Sequence, residues 1–169
     1  LDRLRACCRC RRACRFHQDE IGPKGCNVST RPVLWFAPQT CARVTLTALE
    51  EIGEGEKKSH WMWFVFPQIE GLGKSAKAKK YALADLDEAQ MYCEHEELGP
   101  RLFEATEAML EWAGTMSAED ILGDIDALKF RSSMTLFEAA CDDEDSQVFA
   151  DALEAFFDGE RCPLTVDRM

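Results

Sequence analysis

The chain has 169 residues, a length that fits one domain of ordinary size. Apolar residues make up 46% of it and charged residues 30%, which is typical of a globular protein. The longest uninterrupted apolar run, residues 61–66, is far shorter than the roughly 20 residues that a membrane-spanning helix needs, so the sequence predicts no membrane span.

The charge of the chain is distributed unevenly. Residues 1–31 carry eight Lys and Arg against three Asp and Glu, whereas the remaining 138 residues carry 12 against 28. Because the acidic body repels phosphates, it is not expected to bind nucleic acid. The basic segment is either a flexible arm that contacts acidic surfaces or nucleic acid, or a solvated extension.

Residues 1–40 are basic, Cys-rich and without periodicity, so we expect a disordered or divergent N-terminal segment before an all-helical domain over residues 41–169. This segment has no apolar stretch typical of a secretory signal, and single cysteines are scattered through the acidic body. Both features favour a cytoplasmic, reducing location with buried or inert thiols. Cys7, Cys10 and Cys14 resemble part of a zinc knuckle, but no second CxxC pair follows and no metal site is predicted.

The first predicted helix runs from about residue 42 to Gly53, because Val44, Leu49 and Ile52 recur at helical spacing. The run "HWMWFVF", residues 60–66, is apolar on both faces, so periodicity does not distinguish a helix from a buried strand.

Aromatic and β-branched side chains favour a strand for this run, but a strand without partners leaves its backbone groups unpaired. We therefore predict a short helix that is capped by Ser59 and ends before Pro67. Its large side chains are expected at the centre of the core.

The next segments are rich in helix-forming residues. Residues 74–97 predict one or two helices, and another helix is expected to begin at Gly99 and Pro100. Ser117 is placed to cap the helix after that.

The C-terminal part predicts two longer helices. Asp124 or Asp126 is placed to cap the first, and Ser146 to cap the second, which Gly159 ends in a left-handed conformation. The predicted class is mainly α, a compact single-domain multi-helix fold around the central aromatic segment.

Two groups of side chains are candidates for a ligand site. One frames the aromatic run, and the other combines Arg131 with hydroxyls that could cradle an anion. The alternative is that Arg131 pairs with a carboxylate and the serines only ease helix packing. No catalytic residue is assigned, although His60 is of the residue type that most often acts as a general acid or base near neutrality. The eight candidate ligand-binding residues are His60, Trp61, Trp63, Gln68, Lys129, Arg131, Ser132 and Ser133.

The stretches "SHWMWFVFPQIEGLGKS", "YALADLDEAQMYCEHEELGPRL" and "LKFRSSMTLFEAA" resemble the domain of unknown function 1810 family over about residues 48–165. This resemblance implies a compact all-helical fold and hence a helix for the aromatic run. Some members are labelled calpastatin-like, but no inhibitory repeat is visible in this chain. No catalytic residue is carried over. Residues 1–40 do not match the family pattern, and Pro38 interrupts the place of its first helix.

Two functions are compatible with these patterns, and the sequence leaves open whether either involves an enzyme. The first is binding of a small anionic ligand, nucleotide-like or phosphorylated, near the His-Trp-Met-Trp segment; no cofactor is predicted. The stretch "GLGKS" lacks the upstream Gly and the preceding strand of a phosphate-binding loop. The second is a non-catalytic protein-interaction domain whose aromatic run only fills the core. The oligomeric state is not predicted.

Overall fold

The computed structural model describes the backbone of residues 38–169 and the side chains of residues 43–169 other than Asp143. Its helices confirm the mainly α class, and no β-strand forms among these residues. The predicted character of the N-terminal segment and of its cysteine cluster lies outside the described residues. The helices are α1 Pro38–Gly53, α2 Met62–Val65, α3 Ala76–Tyr81, α4 Leu86–Cys93, α5 Leu98–Leu110, α6 Ala118–Leu122, α7 Asp124–Ala140, α8 Asp143–Phe157 and α9 Pro163–Val166.

Helix α7 lies at the centre of the fold. Its residues 132–137 are all buried, and a helix that is buried on every side belongs in the middle of a bundle. Helices α8, α4, α6 and α9 pack around it, α5 packs on α8, and α1 packs on α5.

Buried hydroxyls are tolerated in α7 because each one has a hydrogen-bond partner. The hydroxyl of Thr135 donates to the carbonyl of Arg131, one turn earlier, at 2.8 Å. Thr106 in α5 makes the same kind of bond to the carbonyl of Leu102, also at 2.8 Å. Thr106 also contacts α7, with its hydroxyl oxygen 3.9 Å from the sulfur of Met134.

The aromatic run forms the predicted short helix, α2, and enters the core as expected. Trp61, at the N-terminal end of α2, and Phe66 are buried, and Phe66 meets Phe130 of α7 edge to face with ring centroids 4.9 Å apart. The prediction that Ser59 caps this helix is wrong: Trp61 occupies the N-cap position, and no side chain caps it. The backbone N–H of Ser59 instead donates to Glu51.

Some of the helix ends agree with the sequence predictions and others do not. The side chain of Ser117 caps α6 as predicted, in a reciprocal capping box with Asp120. Gly159, with φ of 72°, is left-handed as predicted, but the C-cap residue of α8 is Asp158, which is also left-handed with φ of 52°. Ser146 does not cap α8, because this helix begins three residues earlier and Asp142 occupies its N-cap position.

Two further helix starts differ from the sequence interpretation. Gly123 occupies the N-cap position of α7, so neither Asp124 nor Asp126 caps that helix. Pro38 does not interrupt the first helix but begins it, a position where the missing N–H of proline costs nothing. No helix of the described chain is both long and apolar enough to cross a membrane.

A disulfide joins two helix ends. Cys93 is the last residue of α4 and Cys141 follows α7 directly; the two Cα atoms are 6.2 Å apart. The prediction of inert thiols is wrong for this pair, because the fold brings together residues that are 48 positions apart. Cys162 is a free, half-buried thiol.

Removing this cross-link is expected to destabilise the fold. The double variant Cys93→Ala with Cys141→Ala should lose about 2–4 kcal/mol of unfolding free energy, because the unfolded chain regains the entropy that the closed loop denies it. Urea unfolding without reductant measures the loss. Cys162→Ala, which breaks no cross-link, is the control and should lose less, and equal stability of the double variant and the unaltered protein would contradict the prediction.

Candidate functional site

The turn between α1 and α2 is held by one buried carboxylate, that of Glu51. The same Oε2 atom accepts N–H groups from the backbone of Lys58 at 2.8 Å, from the backbone of Ser59 at 3.0 Å and from the indole of Trp61 at 2.7 Å. Glu51 is 8% exposed, so these donors replace the water that its charge has lost.

The pKa of Glu51 follows from these contacts. Burial alone would raise it, because burial disfavours the charged form. The hydrogen bonds from Ser59, Lys58 and Trp61 favour the carboxylate more strongly and lower the pKa from its usual 4.5 to about 2. Glu51 is therefore ionised throughout the physiological pH range.

Beyond this turn, the indole ring of Trp63 is half-buried and has two lysines close to it. The ammonium of Lys129 in α7 lies 4.7 Å from the ring centroid, and that of Lys77 in α3 lies 5.5 Å from it. Both distances are within the range of cation–π attraction. The aromatic run and α7 thus meet at this ring.

A carboxylate connects Lys129 to a third lysine. Asp126 lies 2.6 Å from the ammonium of Lys129 and 2.7 Å from that of Lys57. Burial raises the pKa of Asp126, but the hydrogen bonds from Lys129 and Lys57 outweigh this effect, and the net pKa is lowered. We call Trp63, Lys57, Lys77, Lys129 and Asp126 the Trp63 cluster.

Arg131 points away from this cluster. Residues two apart on a helix do not face each other, so Arg131 and Lys129 leave α7 in different directions. The guanidinium donates to the carbonyl of Glu160 at 2.7 Å and to its carboxylate at 2.9 Å, and it lies over the ring of Phe157. In this arrangement Arg131 ties α7 to the segment after α8.

The two serines that follow Arg131 also bond within the protein. The buried hydroxyl of Ser132 lies 2.8 Å from that of Thr165 in α9. The hydroxyl of Ser133 donates to the carbonyl of Pro67 at 2.8 Å, which ties α7 to the end of the aromatic run. These contacts match the helix-packing alternative for the serines.

The remaining candidates differ in exposure. Trp61 is 2% exposed and its indole is bonded to Glu51, so its role here is in the core. His60 is exposed, whereas Gln68 is half-buried and its backbone carbonyl accepts the N–H of Leu83 at 2.9 Å. His60 and Gln68 thus flank α2 on the chain, on either side of Trp63.

Sequence reasoning missed Lys57 and Lys77, and a signal for both was present. Residues 57–80 contain six of the 12 Lys and Arg residues found between positions 32 and 169, with Glu70 as their single acidic residue. A charge count over short windows would have shown this basic segment inside an acidic body. Glu51 left no such signal, because it is one of many acidic residues.

The stretch "GLGKS" adopts an ordinary helix start. The hydroxyl of Ser75 accepts the N–H of Ala78 at 3.0 Å and so caps α3, which has six residues. Upstream lies an isolated backbone bridge between Ile69 and Leu83 rather than a strand. In the part of the chain that the structure describes, no group of three or more His, Cys, Asp or Glu side chains could hold a metal ion.

This geometry defines a small helical domain with a basic and aromatic surface beside its central helix. The family model described as "Protein of unknown function (DUF1810)" matches residues 36–169, and the chain belongs to that family. A crystal structure of the conserved hypothetical protein Rv1873 from Mycobacterium tuberculosis is 42% identical and covers 76% of this chain and 90% of its own, with a TM-score of 0.71. No curated protein matches the chain.

The buried carboxylate of Glu51 yields a prediction for stability and its pH dependence. Glu51→Gln should lose roughly 2–3 kcal/mol of unfolding free energy at pH 7. The lower pKa of Glu51 in the folded than in the unfolded chain stabilises the folded state, and its partial contact with solvent reduces this stabilisation. A group with a lowered folded-state pKa stabilises above its unfolded pKa and loses that effect as the pH falls. The difference between the two proteins should therefore narrow from pH 4.5 towards pH 2.

Urea unfolding at pH 7 and at pH 3 measures this difference. The matched control is Glu54→Gln, since Glu54 is an exposed carboxylate whose contact with Lys58 is 2.7 Å. An exposed ion pair of this kind contributes about 0–1 kcal/mol. Equal losses in the two variants, or a Glu51→Gln loss that does not change with pH, would contradict the prediction.

Proposed function

We propose that the chain binds a small anionic ligand, nucleotide-like or phosphorylated, at the Trp63 cluster. The observation that supports this most is the half-buried indole of Trp63 with ammonium groups from two helices, α3 and α7, at 5.5 and 4.7 Å from its centroid. Such a ring offers a stacking surface, and the lysines offer charge for a phosphate.

The relative strengths of the contacts favour a ligand over the resting arrangement. A partly exposed cation–π contact contributes about 0.5–1 kcal/mol, whereas a hydrogen bond to a charged group contributes about 1.5–3 kcal/mol. A bound phosphate is thus a better partner for Lys77 than the ring is, whereas Lys129 already pairs with Asp126 at 2.6 Å and adds its charge from there. Once the Lys77 ammonium turns to the phosphate, it uncovers part of the Trp63 ring for a nucleobase.

Local charge also supports an anionic ligand. Residues 32–169 carry 12 Lys and Arg against 28 Asp and Glu, yet residues 57–80 have six lysines and one carboxylate. Two of these lysines, Lys57 and Lys58, pair with Asp126 and Glu54 from outside the segment. Concentrated positive charge on an acidic protein attracts small anions while the rest of the surface repels large polyanions. In this proposal His60 and Gln68 border the ligand.

The alternative is a protein-interaction domain, and it has an observation of its own. Ile125 is 72% exposed and Leu128 is 63% exposed; they are three residues apart and so lie on one face of α7. Exposed apolar pairs of this kind occur at protein interfaces. A protein with this second function would show no response to small anions.

A thermal-shift screen with pyrophosphate, glucose 6-phosphate, AMP, ADP and NAD tests the proposal. A ligand at 100 times its Kd adds about 2.7 kcal/mol of stability and raises the melting temperature. Trp63→Leu and Lys77→Gln should each weaken the Kd about tenfold, because each removes one of the proposed contacts. Titration of the best ligand against each variant gives these values.

The matched control is Lys79→Gln, which makes the same charge change two residues further along α3, on a different face, and should leave the Kd within about twofold. Equal weakening by Lys77→Gln and Lys79→Gln would show general attraction to a basic surface rather than a site. Arg131→Gln should also leave the Kd unchanged, and its loss of binding would instead support the cradle predicted from the sequence. No shift with any of the five ligands would favour the interaction domain.

A further inference from the structure

We propose that the Cys93–Cys141 disulfide is a thiol-exchange site that selects positively charged thiols. The bond lies at the surface end of the fold's central helix, because Cys141 follows the last residue of α7 and Cys93 is the last residue of α4. Both residues are half-buried, so neither sulfur is sealed in the core.

A cavity of about 630 Å³ lies beside this bond, with Cys141 among its lining residues and Cys93 outside them. In this proposal a thiol enters the cavity and reaches the sulfur of Cys141 from there. Three of the other lining residues carry carboxylates, and all three are exposed: they are Asp142, Glu144 and Asp145.

The exchange needs only a thiol as co-reactant. The thiolate of the entering molecule attacks the sulfur of Cys141, a mixed disulfide forms, and Cys93 leaves as a thiolate that takes up a proton. A second molecule of the same thiol then attacks the sulfur that the first molecule contributed to the mixed disulfide, and Cys141 leaves as a thiolate that takes up a proton. Two thiols are thereby oxidised to one small disulfide, and the protein's disulfide is reduced to two thiols.

The carboxylates of the cavity determine which thiols react. Each acts on an incoming charge through water-filled space, where a pair of charges at about 8 Å interacts only weakly, but three carboxylates of one sign add up. A thiol with an ammonium group is attracted and one with a carboxylate is repelled. Together, the two effects amount to about a tenfold difference in rate at low ionic strength.

Opening the bond has a defined structural effect. It removes the covalent link between the C-terminal ends of α4 and α7, whose packing against each other extends beyond the two cysteines. The reduced form gains two thiols, one of them on a residue that lines the cavity, and has the lower stability predicted above for the variant without the cross-link.

The experiment measures how fast three thiols reduce the bond in the full chain. Cysteamine is cationic, 2-mercaptoethanol is neutral and 3-mercaptopropionate is anionic. Alkylation at set times, followed by mass spectrometry of the peptides that contain Cys93 and Cys141, gives each rate. Each rate is divided by that of the same thiol with an uncharged reference disulfide, which removes differences in intrinsic reactivity. The normalised rate is expected to be highest for the cationic thiol, intermediate for the neutral one and lowest for the anionic one. The highest and lowest rates should differ about tenfold at low salt and about twofold in 0.5 M KCl.

A charge-neutralised variant supplies the decisive comparison. Asp142→Asn, Glu144→Gln and Asp145→Asn together should reduce the tenfold selectivity to about twofold or less. The control removes three exposed carboxylates from α5 and its C-cap instead, by Glu104→Gln, Glu107→Gln and Glu111→Gln, and should keep the selectivity.

Three outcomes would overturn the proposal. Equal normalised rates for the three thiols would show that the cavity does not select by charge. Reduction at a rate independent of thiol concentration would show that the bond reacts only after unfolding. Alkylation of both Cys93 and Cys141 before any thiol is added would show that the protein carries no such bond.

Discussion

The buried carboxylate of Glu51 fixes the turn on which the rest of the site depends. By accepting the N–H groups of Lys58, Ser59 and the Trp61 indole, it holds the chain as α1 gives way to α2. A buried carboxylate without hydrogen-bond donors would destabilise the fold far more than one that has them. The position of Glu51 in the core therefore depends on these three N–H donors. The indole of Trp61 is thereby held in the core, and Trp63, two residues later, lies only half-buried.

Helix α7 places the two proposed sites apart from each other. Lys129, near its beginning, belongs to the Trp63 cluster, whereas Cys141 follows its end. Twelve residues of helix separate them, which corresponds to about 18 Å along the axis. Their charges are also opposite, since lysines dominate the first site and carboxylates line the second. The proposed anion binding and thiol exchange can therefore be tested independently on the same protein.

Local sequence signals predicted local structure well. The Ser117 cap and the Gly159 terminator involve residues a few positions apart, so their chemistry is visible in the sequence itself. The aromatic run was predicted to be core because so much apolar area cannot remain exposed. The prediction for Ser146 failed because α8 begins three residues before it, after Asp142, whose side chain makes no capping hydrogen bond. A residue type that favours the N-cap position therefore does not by itself fix where a helix begins.

Contacts between residues that are far apart in the sequence could not be predicted from the sequence alone. The disulfide joins positions 48 apart, and the ring of Trp63 meets Lys129 only because α7 folds back beside α2. Arg131 is a second example. An arginine is well suited to bind an anionic ligand, but in the fold its guanidinium pairs with the carboxylate of Glu160. Tertiary packing decides which carboxylate pairs with which Lys or Arg side chain, and this pairing cannot be predicted from a single sequence.

Hydrogen exchange of the indole N–H groups, followed by NMR, tests the central role of Glu51 most directly. The indoles of Trp61 and Trp112 donate to Glu51 and to the carbonyl of Ile52, and both should exchange at least about tenfold more slowly than that of Trp63. In Glu51→Gln the protection of Trp61 should fall while that of Trp112 remains. Exchange of Trp61 as fast as that of Trp63 in the unaltered protein, or protection that Glu51→Gln does not change, would contradict this account.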